Sequence, residues 1–542
     1  MKIALAQLNY HIGNFDSNVR KIKDVIARAK EQNADLVIFA ELTVCGYPPR
    51  DFLEFEDFIT KCNESVEDIA RECTGIAAII GAPATNSNEK GKPLYNAAYF
   101  LRSGKVESVH HKYLLPNYDV FDENRYFEPA GSVSCIELEG TTIAVTICED
   151  LWTYGNENLY SSSPMDELIK ERPDLIVNLS ASPFDYRHME ERKATFSNCA
   201  RQFNLPLIFV NHVGAQTELI FDGGSFVLDS SGKMTNQLKM FEEDFQILDL
   251  NNSGSEPSVQ QYSKIELIHD ALVLGIRDYF TKSGLKKAIL GLSGGIDSAV
   301  TLALTSSALG KENVTALLLP SKFSSDHSVA DAEQLCRTLG CPYEKISIEE
   351  INETFEKTLK PYFKDLPPDI TEENVQARIR AVLLMGFANK FGHILLNTSN
   401  KSEKSVGYGT MYGDMAGGLA ILGDVYKTEV FELAEYINRN EEIIPQNSID
   451  KPPSAELRPD QKDVDSLPEY DILDKILFEY IENRNGPKEL VEMGFSKELV
   501  NRVLKLVNMS EYKRFQAPPI LRVSSKAFGM GRRMPIVGKY LS

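Results

Sequence analysis

The sequence lacks any apolar stretch near the roughly 20 residues that a helix needs to cross a bilayer. Positive charge is also scarce: 58 Lys and Arg face 78 Asp and Glu, for a net charge of −20 at pH 7. Because nucleic acid is bound through surplus Lys and Arg, we expect no nucleic-acid partner, and no membrane partner either. The amino terminus enters a strand pattern at once and shows no signal peptide, so a cytoplasmic location is expected.

Cysteine pairs with metal-site spacing are absent as well. The eight cysteines are scattered, and no two have the Cys-x-x-Cys spacing. This pattern predicts neither a zinc site nor a disulfide framework. A reducing compartment fits the composition.

What the sequence does contain is a large, ordinary globular composition. It has 542 residues, of which 43% are hydrophobic and 25% charged, so more than one domain is expected. The first half alternates apolar strands with amphipathic helices, such as the one predicted over residues 16–32. This mix predicts sheets covered by helices on their outer faces. The predicted strands are 2–8, 35–41, 76–82, 96–101, 131–138, 141–149, 174–179, 206–211 and 224–228.

A polar, turn-rich segment separates the two halves. We place a linker at residues 251–262, between a first domain at 1–250 and a second at 263–542. In the second domain helices and strands alternate, which predicts a doubly wound parallel α/β sheet. The predicted helices are 264–280, 297–308, 328–339 and 378–391, and the predicted strands are 287–292, 314–320, 343–348 and 393–397.

The run Gly291-Leu-Ser-Gly-Gly-Ile-Asp-Ser298 joins the first predicted strand of this domain to a helix. Glycines allow backbone N–H groups to approach phosphate oxygens, hydroxyls add donors, and the helix dipole favours an anion. The Lys-Ser/Thr ending of the nucleoside-triphosphatase loop is missing. The run resembles instead the S-G-G-x-D-S loop of ATP pyrophosphatases, which split ATP into AMP and pyrophosphate.

Three residues of the first half stand at strand ends or in the loops that follow: Glu41, Lys112 and Cys148. Taken alone, Cys148 is typical of a small core residue, and Glu41 and Lys112 are typical of surface charges. Together with their surroundings they resemble the Glu-Lys-Cys triad of the nitrilase, or carbon–nitrogen hydrolase, superfamily. The strings that carry the resemblance are Phe39-Ala-Glu-Leu42, Gly46-Tyr-Pro-Pro-Arg50, Leu115-Pro-Asn-Tyr118, Val120-Phe-Asp-Glu123, Arg125-Tyr-Phe127, Cys148-Glu-Asp-Leu-Trp152, Asn178-Leu-Ser-Ala-Ser-Pro-Phe184, Asn211 and Phe221-Asp-Gly-Gly224.

This resemblance implies a four-layer α-β-β-α sandwich and a chemistry. Cys148 would attack the glutamine amide, and Glu41 would take the thiol proton and pass it to the departing ammonia. Lys112 would stabilise the oxyanion of the tetrahedral intermediate. Tyr118 and Ser180 would contact glutamine.

Further strings of the second half resemble the NAD synthetase family, and joined to the first half they resemble its glutamine-dependent branch. That branch amidates deamido-NAD to NAD: ATP converts the carboxylate into an acyl-adenylate, and ammonia then displaces AMP. The strings that carry the resemblance are Glu373-Asn-Val-Gln-Ala-Arg-Ile-Arg380, Asn400-Lys-Ser-Glu403, Gly407-Tyr408, Tyr412-Gly-Asp-Met-Ala-Gly-Gly418, Asp424-Val-Tyr-Lys-Thr428, Ser454-Ala-Glu-Leu-Arg-Pro459, Gln461-Lys-Asp463 and Tyr512-Lys-Arg-Phe-Gln-Ala-Pro518.

The resemblance also implies roles for residues of the second domain. Mg²⁺ would be held by Asp297 and Glu403, since hard cations prefer carboxylate and phosphate oxygens. Two of the expected dinucleotide ligands, Arg378 and Arg380, lie two positions apart on a helix and face different ways, so one of them is expected to contact ligand. The residues implied for ATP are Ser293, Gly294, Gly295, Asp297, Ser298 and Lys427, and those implied for deamido-NAD are Asn374, Arg378, Arg380, Asp414 and Lys513.

The resemblance also leads to expectations about an ammonia channel and the oligomeric state, and alternative functions remain. An internal channel would carry ammonia between the two sites, and the synthetase domains would pair as a homodimer or a larger homo-oligomer. Ser399 and the pair Lys404-Ser405 depart from the family pattern, where glycine and small or apolar residues are usual. The alternatives are an RNA-modifying pyrophosphatase, a non-catalytic first half that leaves only free ammonia as donor, and an amidotransferase for another carboxylate.

Overall fold

A computed structural model describes residues 1–88, 90–155, 159–250, 261–364 and 366–541. The chain divides into two compact units, Met1–Tyr262 and Ser263–Ser542. Residues 251–260 of the expected linker lie outside the described residues. Within the described ranges, no helix is long and apolar enough to cross a membrane.

Two six-stranded sheets form the centre of the first unit. One has the strand order β14-β1-β2-β3-β4-β5 and the other β13-β12-β9-β8-β7-β6, in the numbering that follows. The strands are β1 (Lys2–Gln7), β2 (Leu36–Ile38), β3 (Ala77–Thr85), β4 (Leu94–Arg102), β5 (Lys105–His111), β6 (Ile136–Leu138), β7 (Thr141–Ile147), β8 (Leu175–Ser180), β9 (Leu207–Asn211), β10 (Val213–Gln216), β11 (Leu219–Asp222), β12 (Phe226–Leu228), β13 (Met234–Gln237) and β14 (Asp244–Asp249). The helices are α1 (Phe15–Glu31), α2 (Glu56–Ala70), α3 (Glu123–Tyr126), α4 (Met165–Leu168) and α5 (His188–Phe203).

Helix α1 illustrates how the sequence builds the outer layer. The Asn14 side chain caps its first turn by accepting a hydrogen bond from the Ser17 N–H. The apolar stripe that includes Ile22 and Ile26 is fully buried and packs, with residues of α2, on the first sheet.

The remaining layers follow from side-chain alternation along the strands. Ile3 and Leu5 of the first sheet and Val145 and Val177 of the second belong to one core between the sheets. On the far face of the second sheet, Phe196 and other residues of α5 form a separate core. The predicted α-β-β-α sandwich is confirmed.

The second unit is built on a five-stranded parallel sheet of order β17-β16-β15-β18-β19. The strands are β15 (Ala288–Gly291), β16 (Val314–Leu318), β17 (Tyr343–Lys345), β18 (Ile394–Asn397) and β19 (Leu419–Ala420). The helices are α6 (Lys264–Lys282), α7 (Ile296–Leu309), α8 (Asp326–Leu339), α9 (Glu349–Phe363), α10 (Ile370–Phe391), α11 (Lys401–Val406), α12 (Lys427–Ile437), α13 (Gln446–Asp450), α14 (Tyr470–Ile481), α15 (Pro487–Glu492), α16 (Lys497–Met509) and α17 (Glu511–Arg514).

The strand order of this sheet reverses direction between β15 and β18. In doubly wound sheets ligands bind at such a point, beyond the carboxyl ends of the strands. The glycine-rich loop follows β15 and therefore lies at this point. The predicted parallel α/β architecture is confirmed.

Candidate active sites

In the first unit, Cys148 occupies a sharp turn at the end of β7. Its φ is 43°, in the left-handed region, and the chain continues into a 3-10 helix, so the strand predicted to 149 ends at Ile147. The Asp150 carboxylate holds the turn by accepting hydrogen bonds from the N–H groups of Ile147 (2.9 Å), Tyr113 (3.0 Å) and Leu114 (2.8 Å). These bonds tie the cysteine turn to the segment that follows Lys112.

Glu41 and Lys112 form a buried ion pair with further partners. Lys112 Nζ donates to Glu41 Oε1 at 2.7 Å and to both carboxylate oxygens of Glu123 at 2.9 Å. Asn96 Nδ2 donates to Glu41 Oε1 at 2.6 Å, and the Ala181 N–H donates to Glu41 Oε2 at 2.9 Å. Both oxygens of Glu41 are therefore fixed in position.

The charges of this cluster set the protonation states. Burial alone would lower the pKa of Lys112, but the carboxylates of Glu123 and Glu41 raise it well above its usual range. Burial raises the pKa of Glu123 to about 7. Burial, with a further contribution from Glu41, raises the pKa of the Cys148 thiol well above its usual range. The resting site thus holds an ammonium and a thiol, which needs a base to become a nucleophile.

Next to the cysteine, Glu149 is almost fully buried and is held by two phenols. Tyr118 OH donates to its two oxygens at 2.9 and 3.1 Å, and Tyr160 OH donates at 2.9 Å. Ser180 Oγ donates to Asn178 Oδ1 at 2.6 Å. The sequence did not lead us to predict roles for Glu149 and Glu123. Both lie in segments that resemble the nitrilase superfamily, Glu149 next to Cys148 and Glu123 five residues after Tyr118, and this proximity could have identified them.

A second buried ion pair supports the segment that holds Glu41. Arg192 donates from two nitrogens to Asp222, at 3.1 and 2.5 Å, and both side chains are buried. Asn211 Nδ2 donates to the same Asp222 carboxylate at 3.2 Å, while Asn211 Oδ1 accepts from the Ser182 N–H at 2.9 Å. Ala181, the residue before Ser182, provides the N–H that holds Glu41. The Arg192–Asp222 ion pair therefore supports the active site indirectly, through Asn211 and this segment.

In the second unit, the loop from Gly291 to Ser298 turns sharply after β15. Gly294 has φ 82°, which favours glycine, and a Cβ built on it would lie 2.1 Å from the Ser328 carbonyl oxygen. Both the backbone conformation and the close contact therefore require glycine at this position. Within the loop, the Gly295 N–H donates to Ser293 Oγ at 3.2 Å. Helix α7 begins at Ile296, so its first N–H groups are close to the loop.

This loop opens on a cavity of about 310 Å³. Several residues expected to bind ligand line it together, whereas Gly294, Asn374, Arg378 and Lys513 do not, within the described part of the unit. The predicted residues that line the cavity are Ser293, Gly295, Asp297, Ser298, Arg380, Glu403, Asp414 and Lys427.

Asp297 lies at the centre of a charged group in this cavity. Its carboxylate contacts Lys427 Nζ and accepts a hydrogen bond from Asn400 Nδ2 at 2.8 Å. Glu403 Oε1 lies 4.0 Å from the same ammonium. Burial and the charge of Asp297 raise the pKa of Glu403 well above its usual range, so a further cation would stabilise the ionised form.

These two carboxylates fit the expected Mg²⁺ site. Mg²⁺ is commonly bound through one or two carboxylates together with substrate phosphates, rather than by a complete set of protein ligands. Among the described residues, no group of three or more His, Cys, Asp or Glu side chains could hold a metal ion. Phosphate oxygens would supply the remaining ligands.

The residues expected to bind deamido-NAD are only partly brought together. Arg380 is half-buried at the cavity, whereas Arg378 is exposed and donates from Nε to the Met411 carbonyl at 3.2 Å. The helix that carries both, α10, begins at Ile370 rather than at 378, because Asp369 and Glu372 form a capping box there.

Asn374 and Asp414 meet through Thr410. The Thr410 hydroxyl donates to Asn374 Oδ1 at 2.7 Å, and the Thr410 N–H donates to Asp414 Oδ1 at 2.5 Å. Lys513 Nζ donates to carbonyls of the same loop, including that of Gly407 at 2.8 Å. The loop at 407–414 thus connects these three predicted residues.

The positions that depart from the family pattern are accommodated differently. Ser399 has no positive φ and donates its N–H to Asn397 Oδ1 at 3.2 Å. Ser405 Oγ donates to the Lys401 carbonyl at 2.6 Å. Lys404 is 7% exposed, and its Nζ has no hydrogen-bond partner among the described residues.

Comparisons with known proteins cover both units. The sequence profile of the carbon–nitrogen hydrolase family matches residues 2–257, and that of the NAD synthase family matches residues 268–517. A glutamine-dependent NAD(+) synthetase from Synechocystis sp. is 46% identical, over 98% of this chain and 98% of the relative. One from Acinetobacter baylyi is 43% identical, over 99% and 98%.

A solved structure shows the same relationship. The glutamine-dependent NAD+ synthetase from Acinetobacter baumannii, determined in complex with ADP, covers 99% of this chain and 98% of its own, with 41% identity and a TM-score of 0.79. The two sites described above therefore lie in domains of known type. This chain belongs to the glutamine-dependent NAD(+) synthetase family.

Proposed function

We propose that this chain converts deamido-NAD to NAD through an acyl-adenylate, with ammonia from glutamine hydrolysed at Cys148. The observation that carries the proposal is the Lys112–Glu41 pair, 2.7 Å apart and fixed beside the strained Cys148 turn. The synthetase activity is that of the family. The residue roles below extend it to this chain.

At the glutaminase site, Glu41 takes the proton of the Cys148 thiol, and the thiolate attacks the amide carbon of glutamine. Lys112, held as ammonium by Glu41 and Glu123, stabilises the oxyanion. The C–N bond breaks, and ammonia leaves with the proton from Glu41. Water activated by Glu41 then hydrolyses the thioester to glutamate.

The buried Glu149 carboxylate supplies a counter-charge for the α-ammonium group of glutamine. Tyr118 and Tyr160 hold that carboxylate by their hydroxyl groups. Burial raises the pKa of Glu149, and the charge of Lys112 and the two hydroxyl donors act against this shift to favour the carboxylate. Tyr118 therefore contributes to glutamine binding through Glu149, while Ser180 supports the strand end beneath the site.

At the second site, the carboxylate of deamido-NAD attacks the α-phosphate of ATP, and the bond to the β-phosphate breaks. The N–H groups and hydroxyls of the loop, with Ser293 and Ser298, hold the pyrophosphate, and Lys427 adds a positive charge. Mg²⁺ held by Asp297 and Glu403 would neutralise phosphate charge. Arg380 and Asp414, which line the same cavity, would bind the dinucleotide, together with Asn374 and Lys513, which hydrogen-bond to the loop at 407–414.

Ammonia must reach the adenylate unprotonated, because ammonium has no free electron pair. We therefore propose an internal channel between the two sites. With ¹⁵N-glutamine and an excess of unlabelled ammonium, NAD should carry mainly ¹⁵N. Equal mixing with the external pool would mean that no channel operates.

Synthetase units are also proposed to pair. Exposed apolar side chains lie on α9, on α10 and just before α10: Tyr362 is 77% exposed, Leu366 74%, Ile370 68% and Val382 70%. Large apolar side chains that are this exposed favour a protein partner. Analytical ultracentrifugation should show a dimer or larger species, and Val382→Glu should shift it toward the monomer.

The activity is tested with ATP, Mg²⁺, glutamine and deamido-NAD, with NAD and AMP as products. Formation of AMP in step with NAD supports adenylation. Formation of ADP, or failure to use deamido-NAD as acceptor, would contradict the proposal.

A further inference from the structure

A further cationic side chain, Lys451, lines the cavity beside the glycine-rich loop. It follows α13 and begins the segment that forms one wall of the cavity. Its Nζ donates to Ser328 Oγ at 2.9 Å, and its side chain is 24% exposed. Nothing in the mechanism above uses this lysine.

Lys451 has a more distant ion-pair partner than two buried lysines of the same unit, Lys427 and Lys401. Lys427 contacts Asp297 directly, and Lys401 Nζ lies 2.9 Å from Asp424. For Lys451 the ion pair is with Asp331, at 4.0 Å, and Asp331 itself accepts a hydrogen bond from a neighbouring amide. Burial lowers the pKa of Lys451, and the carboxylates of Glu456 and Asp331 offset this only in part.

Lys451 is also joined to the glycine-rich loop. Its partner Ser328 packs so closely on Gly294 that no Cβ would fit between them. Ser448, on α13, donates from Oγ to the Gly294 carbonyl at 3.1 Å. The Lys451 ammonium therefore lies next to the loop, where it can bind an anion that the loop holds.

The reaction supplies such an anion. When the α–β phosphate bond breaks, pyrophosphate leaves with the electron pair as a multiply charged group. We propose that Lys451 binds the β- and γ-phosphates of ATP and holds pyrophosphate as it leaves. Lys451 keeps its proton throughout and acts by charge and hydrogen bonding. The inference rests on the proposed function, in which this cavity holds ATP.

The test measures binding directly, on the full chain with Mg²⁺ present. Calorimetry with inorganic pyrophosphate and with AMP is carried out on the wild type, Lys451→Met and Lys451→Arg. Lys462→Met, an exposed lysine of the same loop region, is the control. Removal of Lys451 leaves Ser328 hydrogen-bonded, because its hydroxyl donates to Glu456 at 2.7 Å.

Lys451→Met should weaken pyrophosphate binding about tenfold or more, since a charged hydrogen bond is lost. AMP binding should change less than about twofold, and Lys451→Arg should retain most of the affinity. Unchanged pyrophosphate binding, or an equal loss for pyrophosphate and AMP, would overturn the inference. Failure of the wild type to form AMP from ATP and deamido-NAD would instead overturn the proposed function, while the pyrophosphate measurement still decides the role of Lys451.

Discussion

Arg192→Met is expected to destabilise the first unit and to impair its active site. Arg192 and Asp222 are almost fully buried and form two hydrogen bonds. Removing one partner of a buried ion pair leaves an uncompensated charge, which costs about 3–5 kcal/mol. For a unit of this size, that loss lowers the unfolding midpoint by roughly 6–20 °C.

The loss should reach Glu41 through a short chain of contacts. Without Arg192, the Asp222 carboxylate is expected to pull away from Asn211, whose Oδ1 holds the Ser182 N–H. The N–H of Ala181, the residue before Ser182, would then hold the Glu41 carboxylate less firmly. Glutamine hydrolysis should therefore fall, while NAD formation from ammonium chloride should persist.

The assay is differential scanning calorimetry of the full chain, followed by the two nitrogen-source assays. Arg201→Met, an exposed arginine on the same helix, is the matched control. The double variant Arg192→Met/Asp222→Asn removes both charges and should recover part of the lost stability. If Arg192→Met unfolds no earlier than the control, or if the double variant is no more stable than Arg192→Met, the buried ion pair does not stabilise the unit as expected.

Three other outcomes follow from the same structure. Lys404→Met should stabilise the second unit by about 1–3 kcal/mol in thermal unfolding, because it removes a buried ammonium that has no hydrogen-bond partner among the described residues. Lys505→Met, at an exposed position, is the control and should leave the stability unchanged. An equal gain in both variants would contradict this explanation. Glu123→Gln should lower glutaminase kcat roughly 10²-fold by weakening the hold on Lys112, with ammonia-supported synthesis unchanged; an unaltered glutaminase rate would make Glu123 dispensable. Chelation by EDTA should stop AMP formation with ammonium as donor, and added Mg²⁺ should restore it; AMP formation that survives chelation would argue against the Mg²⁺ site.

Apolar strands were the part of the fold that the sequence predicted best. Strands such as Lys2–Gln7 and Leu175–Ser180 lie close to their predicted positions, because most of their residues are apolar and both faces are buried from Ile3 to Gln7 and from Leu175 to Ser180. The strands Met234–Gln237 and Asp244–Asp249 were not predicted. Their side chains are polar or half-buried, so pairing with a neighbouring strand, rather than composition, makes them strands.

The candidate sites show the same division between local and long-range information. Cys148, Lys112 and the loop at Gly291–Ser298 stand in recognisable local strings. The contacts that hold the first site in place join residues that are far apart in the chain: Lys112 lies 71 residues from Glu41, and Ala181 lies 140 residues from Glu41. Such contacts depend on which segments the fold brings together, and spacing along the sequence does not encode that.

The central claim is that two separate sites of this chain divide the work, and Cys148→Ala tests it most directly. NAD formation is measured with glutamine and, separately, with ammonium chloride as the nitrogen donor. Glutamine-supported synthesis should be abolished, while ammonia-supported synthesis continues at a rate near that of the wild type. Loss of both activities, or continued synthesis from glutamine, would contradict this claim.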